Sequence, residues 1–232
     1  MIIKMDINKK NIVIGIVGHR DIDVRFQHEI ENAIDKAIKE IKALIPNTPI
    51  IVLSGLAQGG DQIATKIALQ NGVELHVALP MKEEYYINDK DFTTEAKENY
   101  FYLKKEAKEV FVVPNIENND NGTMTYKFRQ QAMYVATNCH ILLALWNEKE
   151  ETSMDTACGT AASINFALFN DYLHNEVSNN ERKVLEIFSP RVSDSVKDVK
   201  IITKYLIVDD KENRKYKEVT SITKELLFKY CE

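Results

Sequence analysis

Residues 50–64, IIVLSGLAQGGDQIA, decide the fold. Four β-favouring residues, Ile50 to Leu53, run into Ser54-Gly55, then Gly59-Gly60-Asp61, then the helical pattern Ile63, Ile67, Ala68. The order is strand, glycine-rich turn, helix start. Residues without a Cβ let backbone amides approach a ligand closely. A helix N-terminus presents unpaired N–H groups and the positive end of its dipole. The combination suits a phosphate; it equally suits a tight strand-to-helix turn with no ligand.

Two more turns have this construction. Ile12 to Val17 is followed by Gly18-His19-Arg20-Asp21, and Ile141 to Trp146 leads on to Cys158-Gly159-Thr160 at the head of the apolar segment Ala161 to Phe169. In an open α/β sheet, ligands sit at the carboxyl ends of strands, where helix N-termini converge. Three such turns facing one crevice are a more specific signal than any one of them.

The rest of the chain alternates in the same way. Phe26, Ile30, Ala33, Ile34, Ala37, Ile38, Ile41 and Leu44 recur at spacings of three and four, which predicts an amphipathic helix broken by Pro46 and Pro49. A helix over 61–71 with Gly72 as its cap, a strand over 73–79, a loop over 82–91, a helix over 93–108 and a short strand over 110–113 are expected next. The asparagine-rich stretch 115–122 reads as a loop, 123–137 and 156–173 as helices, and 184–188 as a strand. The helix over 123–137 is expected to carry Tyr126, Arg129 and Tyr134 away from its Phe128, Ala132, Val135 face. Strands alternating with helices of this length predict an α/β fold: a Rossmann-like, doubly wound, mainly parallel sheet with helices on both faces. Beyond Pro190 a strand over 199–208 and a helix over 221–230 are expected. This divides the chain into a domain over 1–190 and an extension over 191–232 packed on it.

A chain of 232 residues with 44% apolar content can build one large core. The net charge of −5 gives no sign of a general nucleic-acid-binding surface and leaves room only for local basic patches. Cys139, Cys158 and Cys231 are odd in number and far apart, which suggests neither a disulfide framework nor a zinc site and fits a reducing compartment. The N-terminus lacks the apolar core of a signal peptide, and the apolar runs fall far short of the ~20 residues that span a bilayer. A soluble cytoplasmic protein without membrane partners is expected.

The strand followed by SGLAQGGDQIA resembles the SGxAxGxDxxA signature of the SMF/DprA–LOG (SLOG) superfamily. Within it the chain looks closest to a bacterial group with GHRD after the first strand, ALW at the end of the fifth and a GGTA-like turn before the next helix. Those motifs stand here as Gly18-His19-Arg20-Asp21, Ala144-Leu145-Trp146 and Cys158-Gly159-Thr160-Ala161. The resemblance covers most of residues 11–190. It implies a Rossmann-like domain that binds a nucleotide or nucleotide derivative, with no other cofactor. Some members are phosphoribohydrolases of nucleoside monophosphates and some bind single-stranded DNA. Others are thought to sense nucleotide second messengers in bacterial antiviral systems, coupled to a separate effector protein. The hydrolase branch carries PGGxGTxxE, whose Glu helps cleave the glycosidic bond. Here Ala161, Ala162 and Ser163 follow Gly159-Thr160, so that carboxylate is missing, and Asp61 or Asp155 would have to stand in.

Each candidate side chain has a plain alternative. Arg20 suits a bidentate phosphate contact or a surface salt bridge with Asp21 or Asp23. His19 is a ligand contact or a structural hydrogen-bonding residue. Asp61 binds a ribose hydroxyl or is a first-turn acid favoured by the helix dipole. Thr160 donates to phosphate or caps its helix. Cys158 is a thiol of lowered pKa or a small residue that fits. Trp146 stacks on a base or packs at the core edge. The expected site is Gly18, His19, Arg20, Ser54, Gly55, Gly59, Gly60, Asp61, Trp146, Gly159 and Thr160, with no metal. Tyr126, Met133 and Tyr134, read as exposed aromatic and apolar residues, predict a homo-oligomer. The acidic balance and the lack of a basic, aromatic-interleaved stretch speak against nucleic acid as the partner.

Overall fold

The most apolar run of the chain, Ile141–Trp146, is a strand near the middle of an eight-stranded sheet, and every residue in it is buried. A strand covered on both faces has no polar side to show, hence the unbroken run ILLALW. The structure is a computed structural model and describes residues 11–90, 92–116, 122–149, 158–169 and 182–228.

The elements follow in the order β1 (Ile12–Gly18), α1 (Gln27–Leu44), β2 (Ile50–Ser54), α2 (Gly60–Gln70), β3 (Glu74–Leu79), α3 (Glu83–Tyr86), α4 (Thr94–Lys105), β4 (Ala107–Val112), α5 (Met124–Thr137), β5 (Ile141–Trp146), α6 (Thr160–Phe169), β6 (Lys183–Phe188), β7 (Thr203–Asp210), β8 (Lys215–Val219) and α7 (Lys224–Phe228). The strands lie in the order β4-β3-β2-β1-β5-β6-β7-β8. β1 to β6 pair in parallel; β7 and β8 add an antiparallel edge. The chain builds outward from β1 to β4, then returns to lay β5 against the free side of β1. The order of winding therefore reverses between β1 and β5.

Alternation along β1 divides the core into two layers. Ile12, Ile14 and Ile16 pack with the α1 residues Ile30, Ile34, Ile38 and Ile41 on one face. Val13 and Val17 pack with α5 and α6 on the other, through Met133, Ala136, Ala162 and Ala167. This is the doubly wound α/β sheet expected from the sequence. Gly72, at φ 68°, stops α2 through its N–H bond to Leu69 O at 2.9 Å.

Several expectations change. α4 ends at Lys105, and β4 starts at Ala107 rather than at 110. The loop over 82–91 contains the short helix α3, whose Tyr86 is fully buried in a cluster with Phe92, Tyr100 and Phe128. The tail strand begins at Thr203 and pairs with β8, a strand not expected from the sequence. The expected helices over 156–173 and 221–230 extend beyond the described residues; their described parts are α6 and α7. Tyr126, Met133 and Tyr134 are only 5%, 0% and 7% exposed. α5 packs against both the sheet and the neighbouring α6, so its aromatic side is a second buried face; Tyr134 packs edge-on against Phe111. The basis on which those residues predicted an oligomer is therefore gone.

Candidate functional site

The reversal of winding leaves a crevice at the carboxyl ends of β1 and β5, the place where open α/β sheets take their ligands. A cavity of about 890 Å³ opens there. All three turns singled out in the sequence reach it. The first contributes Gly18, His19, Arg20 and Asp21; the second Gly55, Ala57, Gln58 and Asp61; the third Cys158, Gly159 and Thr160. Its apolar wall comes from Ile16, Val17, Phe128, Ala132, Val135 and Ala161. Lys90 and Thr93 border it from the segment between α3 and α4, and Gln131 from α5. Asn147, Lys149, Arg191, Ser193 and Asp194 close the far rim.

The second turn turns its amides inward. The backbone amides of Ala57, Gly18 and Gly55 surround the Asp61 carboxyl and favour its charged form, and Gly60 N–H donates to His19 O at 2.9 Å. The place a ligand's anion would take in this turn is thus filled by a carboxyl of the protein itself. Burial pushes the Asp61 carboxyl up to about 7, against the three amides and Arg20, which pull it down. The glycines serve the same packing. Gly59 has φ 85°, and a Cβ there would lie 2.5 Å from the carbonyl oxygens of His19 and Arg20. A Cβ on Gly18 would meet Gly60 Cα at 2.8 Å. Gly59 and Gly60 press the second turn onto the first and do not border the cavity. Ser54 is fully buried, and its Oγ accepts from Leu56 N–H at 3.1 Å. Trp146 is 7% exposed and off the cavity wall, with Nε1 donating to Lys149 O at 3.1 Å.

The third turn is built differently. Thr160, Ala161 and Ser163 of the first turn of α6 border the cavity along with Cys158 and Gly159. Ser163 Oγ donates back to Gly159 O at 3.1 Å. The Thr160 hydroxyl has no hydrogen-bond partner among the described residues, although the residue is 94% buried at 6% exposure. A helix start with an unpartnered hydroxyl on a residue that borders a cavity suits an anionic group.

The first turn is held from two sides. Arg20 Nη1 lies 3.5 Å from Asp89 Oδ1, with its guanidinium 5.1 Å from the centre of the Phe128 ring. Neither Asp21 nor Asp23 is its partner: Asp21 pairs with Arg191 at 2.7 Å, and Asp23 pairs with Arg25. His19 Nε2 lies 2.9 Å from Asn147 Oδ1. The Asn147 amide is oriented by Asp194, whose carboxylate accepts from Nδ2 at 3.1 and 3.3 Å. Burial works against the Asp194 carboxylate, but bonds from Lys149, the Arg191 N–H and Asn147 hold its pKa down at about 2. Burial, and then Arg191, lower the His19 pKa, so the imidazole is neutral near pH 7.

Asn147, Arg191 and Asp194 were not singled out in the sequence. Asn147 carried a signal, as the polar residue directly after the most apolar strand. Arg191 and Asp194 carried none. They reach the crevice because Val192 N–H bonds Asp21 O at 3.0 Å and Ile22 bridges Arg191 across the chain. Asp155, a possible stand-in for the hydrolase carboxylate, lies outside the described residues. Among the described residues, no cluster of three or more His, Cys, Asp or Glu could hold a metal ion, and no helix is long and apolar enough to cross a membrane.

Fold and crevice define the class: an open, mainly parallel Rossmann-like α/β domain with its candidate site at the point where the winding reverses. No protein-family model matches the chain, and no curated protein matches it. Among solved structures it is similar to DNA processing protein A (DprA) from Streptococcus pneumoniae, at 17% identity and a TM-score of 0.41 over 63% of this chain and 46% of that one. It is also similar to DprA from Helicobacter pylori, a structure describing a single-stranded DNA binding mode, at 15% identity and a TM-score of 0.42 over 68% of this chain and 61% of that one. The chain thus spans 46% and 61% of the length of these two proteins.

Proposed function

We propose that the chain binds a phosphorylated nucleotide or nucleotide derivative in the crevice between β1 and β5, and that it acts as a binding or sensing module. The observation that carries this reading is the convergence of three strand-to-helix turns on one cavity of about 890 Å³. That volume falls within the range of small-molecule sites. The cavity combines an apolar wall fit for a base with a helix start and Arg20 fit for a phosphate. Thr160 and the first turn of α6 receive the phosphate; the nest of the second turn is filled by Asp61. Coupling to a separate effector protein, as is thought of the superfamily members that sense nucleotide second messengers in antiviral systems, extends this proposal.

A hydrolase of nucleotide N-glycosidic bonds is the second reading. It is favoured by Asp61, a buried cavity carboxyl with a pKa near 7. Against it, Ala162 and Ser163 stand where the hydrolase branch places its Glu, and the Asp61 carboxylate is engaged by three backbone amides. Calorimetry with AMP, GMP, CMP and UMP, paired with chromatography for released base, separates the two. Binding without turnover supports the module. Base release that disappears in Asp61→Asn hands the site to the hydrolase, and tighter binding of an oligothymidylate than of any mononucleotide would favour single-stranded DNA.

A further inference from the structure

His19 occupies the crevice next to the glycine that ends β1, where a phosphate-binding cation would be expected. Its hydrogen bonds argue for a different task. Asn147 Nδ2 donates to the Asp194 carboxylate, at 3.1 Å to Oδ2 and 3.3 Å to Oδ1, which turns Asn147 Oδ1 towards His19. Oδ1 also accepts the Lys149 N–H at 3.3 Å. An amide oxygen 2.9 Å from a bare ring nitrogen would set two lone pairs against each other, so Nε2 carries the proton and donates to Oδ1. The Asn147 N–H approaches the same nitrogen at the longer distance of 3.3 Å and is the weaker claim on it. With Nε2 protonated, Nδ1 keeps its lone pair. Nδ1 has no partner among the described residues, and the residue borders the cavity.

We propose that His19 reads the ligand as a neutral acceptor: Nδ1 receives a hydrogen bond from an uncharged donor of the nucleotide, either a ribose hydroxyl or an amino group of the base. Asp194 and Asn147 act as positioning residues that lock the imidazole in the required tautomer. The proposal rests on nucleotide binding in the crevice and adds which part of the nucleotide meets the first turn. A phosphate, which offers only acceptors when ionised, is turned away from His19 and towards Thr160 and Arg20.

The test uses AMP, 2′-deoxyAMP, 3′-deoxyAMP and IMP, titrated by calorimetry into the wild-type protein and His19→Ala. A ribose donor predicts that one deoxy compound binds the wild type roughly threefold to tenfold more weakly than AMP, the range for one neutral hydrogen bond, and that the gap closes in His19→Ala. A base amino donor predicts the same pattern for IMP against AMP. Equal affinity of all four for the wild type overturns the inference and leaves nucleotide binding standing. Failure of all four to bind overturns the nucleotide reading and, with it, the donor assigned to His19. Imidazole ¹⁵N shifts of the ligand-free protein give a readout independent of affinity. They should show Nε2 protonated and Nδ1 bare, with the two tautomers mixed in Asn147→Ala. A proton on Nδ1 in the wild type overturns the proposal whatever the calorimetry shows.

Discussion

Asp61→Asn should flatten the acid side of the stability profile. The carboxyl is 7% exposed, and burial raises its pKa from 3.8 to about 7. A raised pKa means that the folded state binds the proton more tightly than the unfolded chain does. The stabilising contribution is complete below pH 3.8 and is lost as the pH climbs to about 7. At about 1.4 kcal/mol for each pH unit, the full change is about 4 kcal/mol. Asparagine keeps an acceptor for the amides of Gly18, Gly55 and Ala57 but does not titrate. Its own misfit in the nest offsets stability by the same amount at every pH, so the slope is the readout. Other titrating groups, Asp194 among them, cancel when variant and wild type are compared. Urea unfolding at half-unit steps from pH 4 to pH 8 measures the difference. The wild type should lose on the order of 4 kcal/mol relative to Asp61→Asn across that window. Parallel profiles would refute the reasoning and show that the three amides and Arg20 outweigh burial.

Arg20→Ala should weaken AMP binding by roughly 1.5–3 kcal/mol, with lysine restoring only part because it lacks the planar fork; calorimetry measures both. Tyr134→Ala should cost roughly 3–5 kcal/mol of stability in urea unfolding, since it opens a cavity beneath Phe111, while light scattering shows the same molecular mass as the wild type. Gly59→Val should lower the thermal midpoint as well as abolish binding, because the branched side chain has no room beside the carbonyls of His19 and Arg20; native-like melting with binding lost would contradict the packing described for that turn.

The fold was legible because a sheet covered on both faces needs unbroken apolar strands, and Ile12–Val17, Ile50–Leu53 and Ile141–Trp146 stand out for that reason. β8 was not legible: KYKEV lies at the sheet edge with four of its five residues exposed, so burial imposes no pattern on it. Tyr126 and Tyr134 misled because helical spacing marks a face without showing how many neighbours cover the helix. The three turns and their convergence were readable from glycine placement after strands. The task of Asp61 was not, since its partners Gly18 and Gly55 belong to different turns brought together only by the parallel pairing of β1 and β2. Arg191 and Asp194 were out of reach for a related reason: the ion pair Asp21–Arg191 spans 170 positions and leaves no local trace in the sequence.

The most direct test of the account is a crystal structure of the protein grown with saturating AMP. The phosphate should lie within hydrogen-bond reach of Thr160 Oγ1 and the first amides of α6, with Asp61 still seated on the amides of Gly18, Gly55 and Ala57. A phosphate in the second turn with Asp61 displaced, a nucleotide on another surface, or an empty crevice would contradict it.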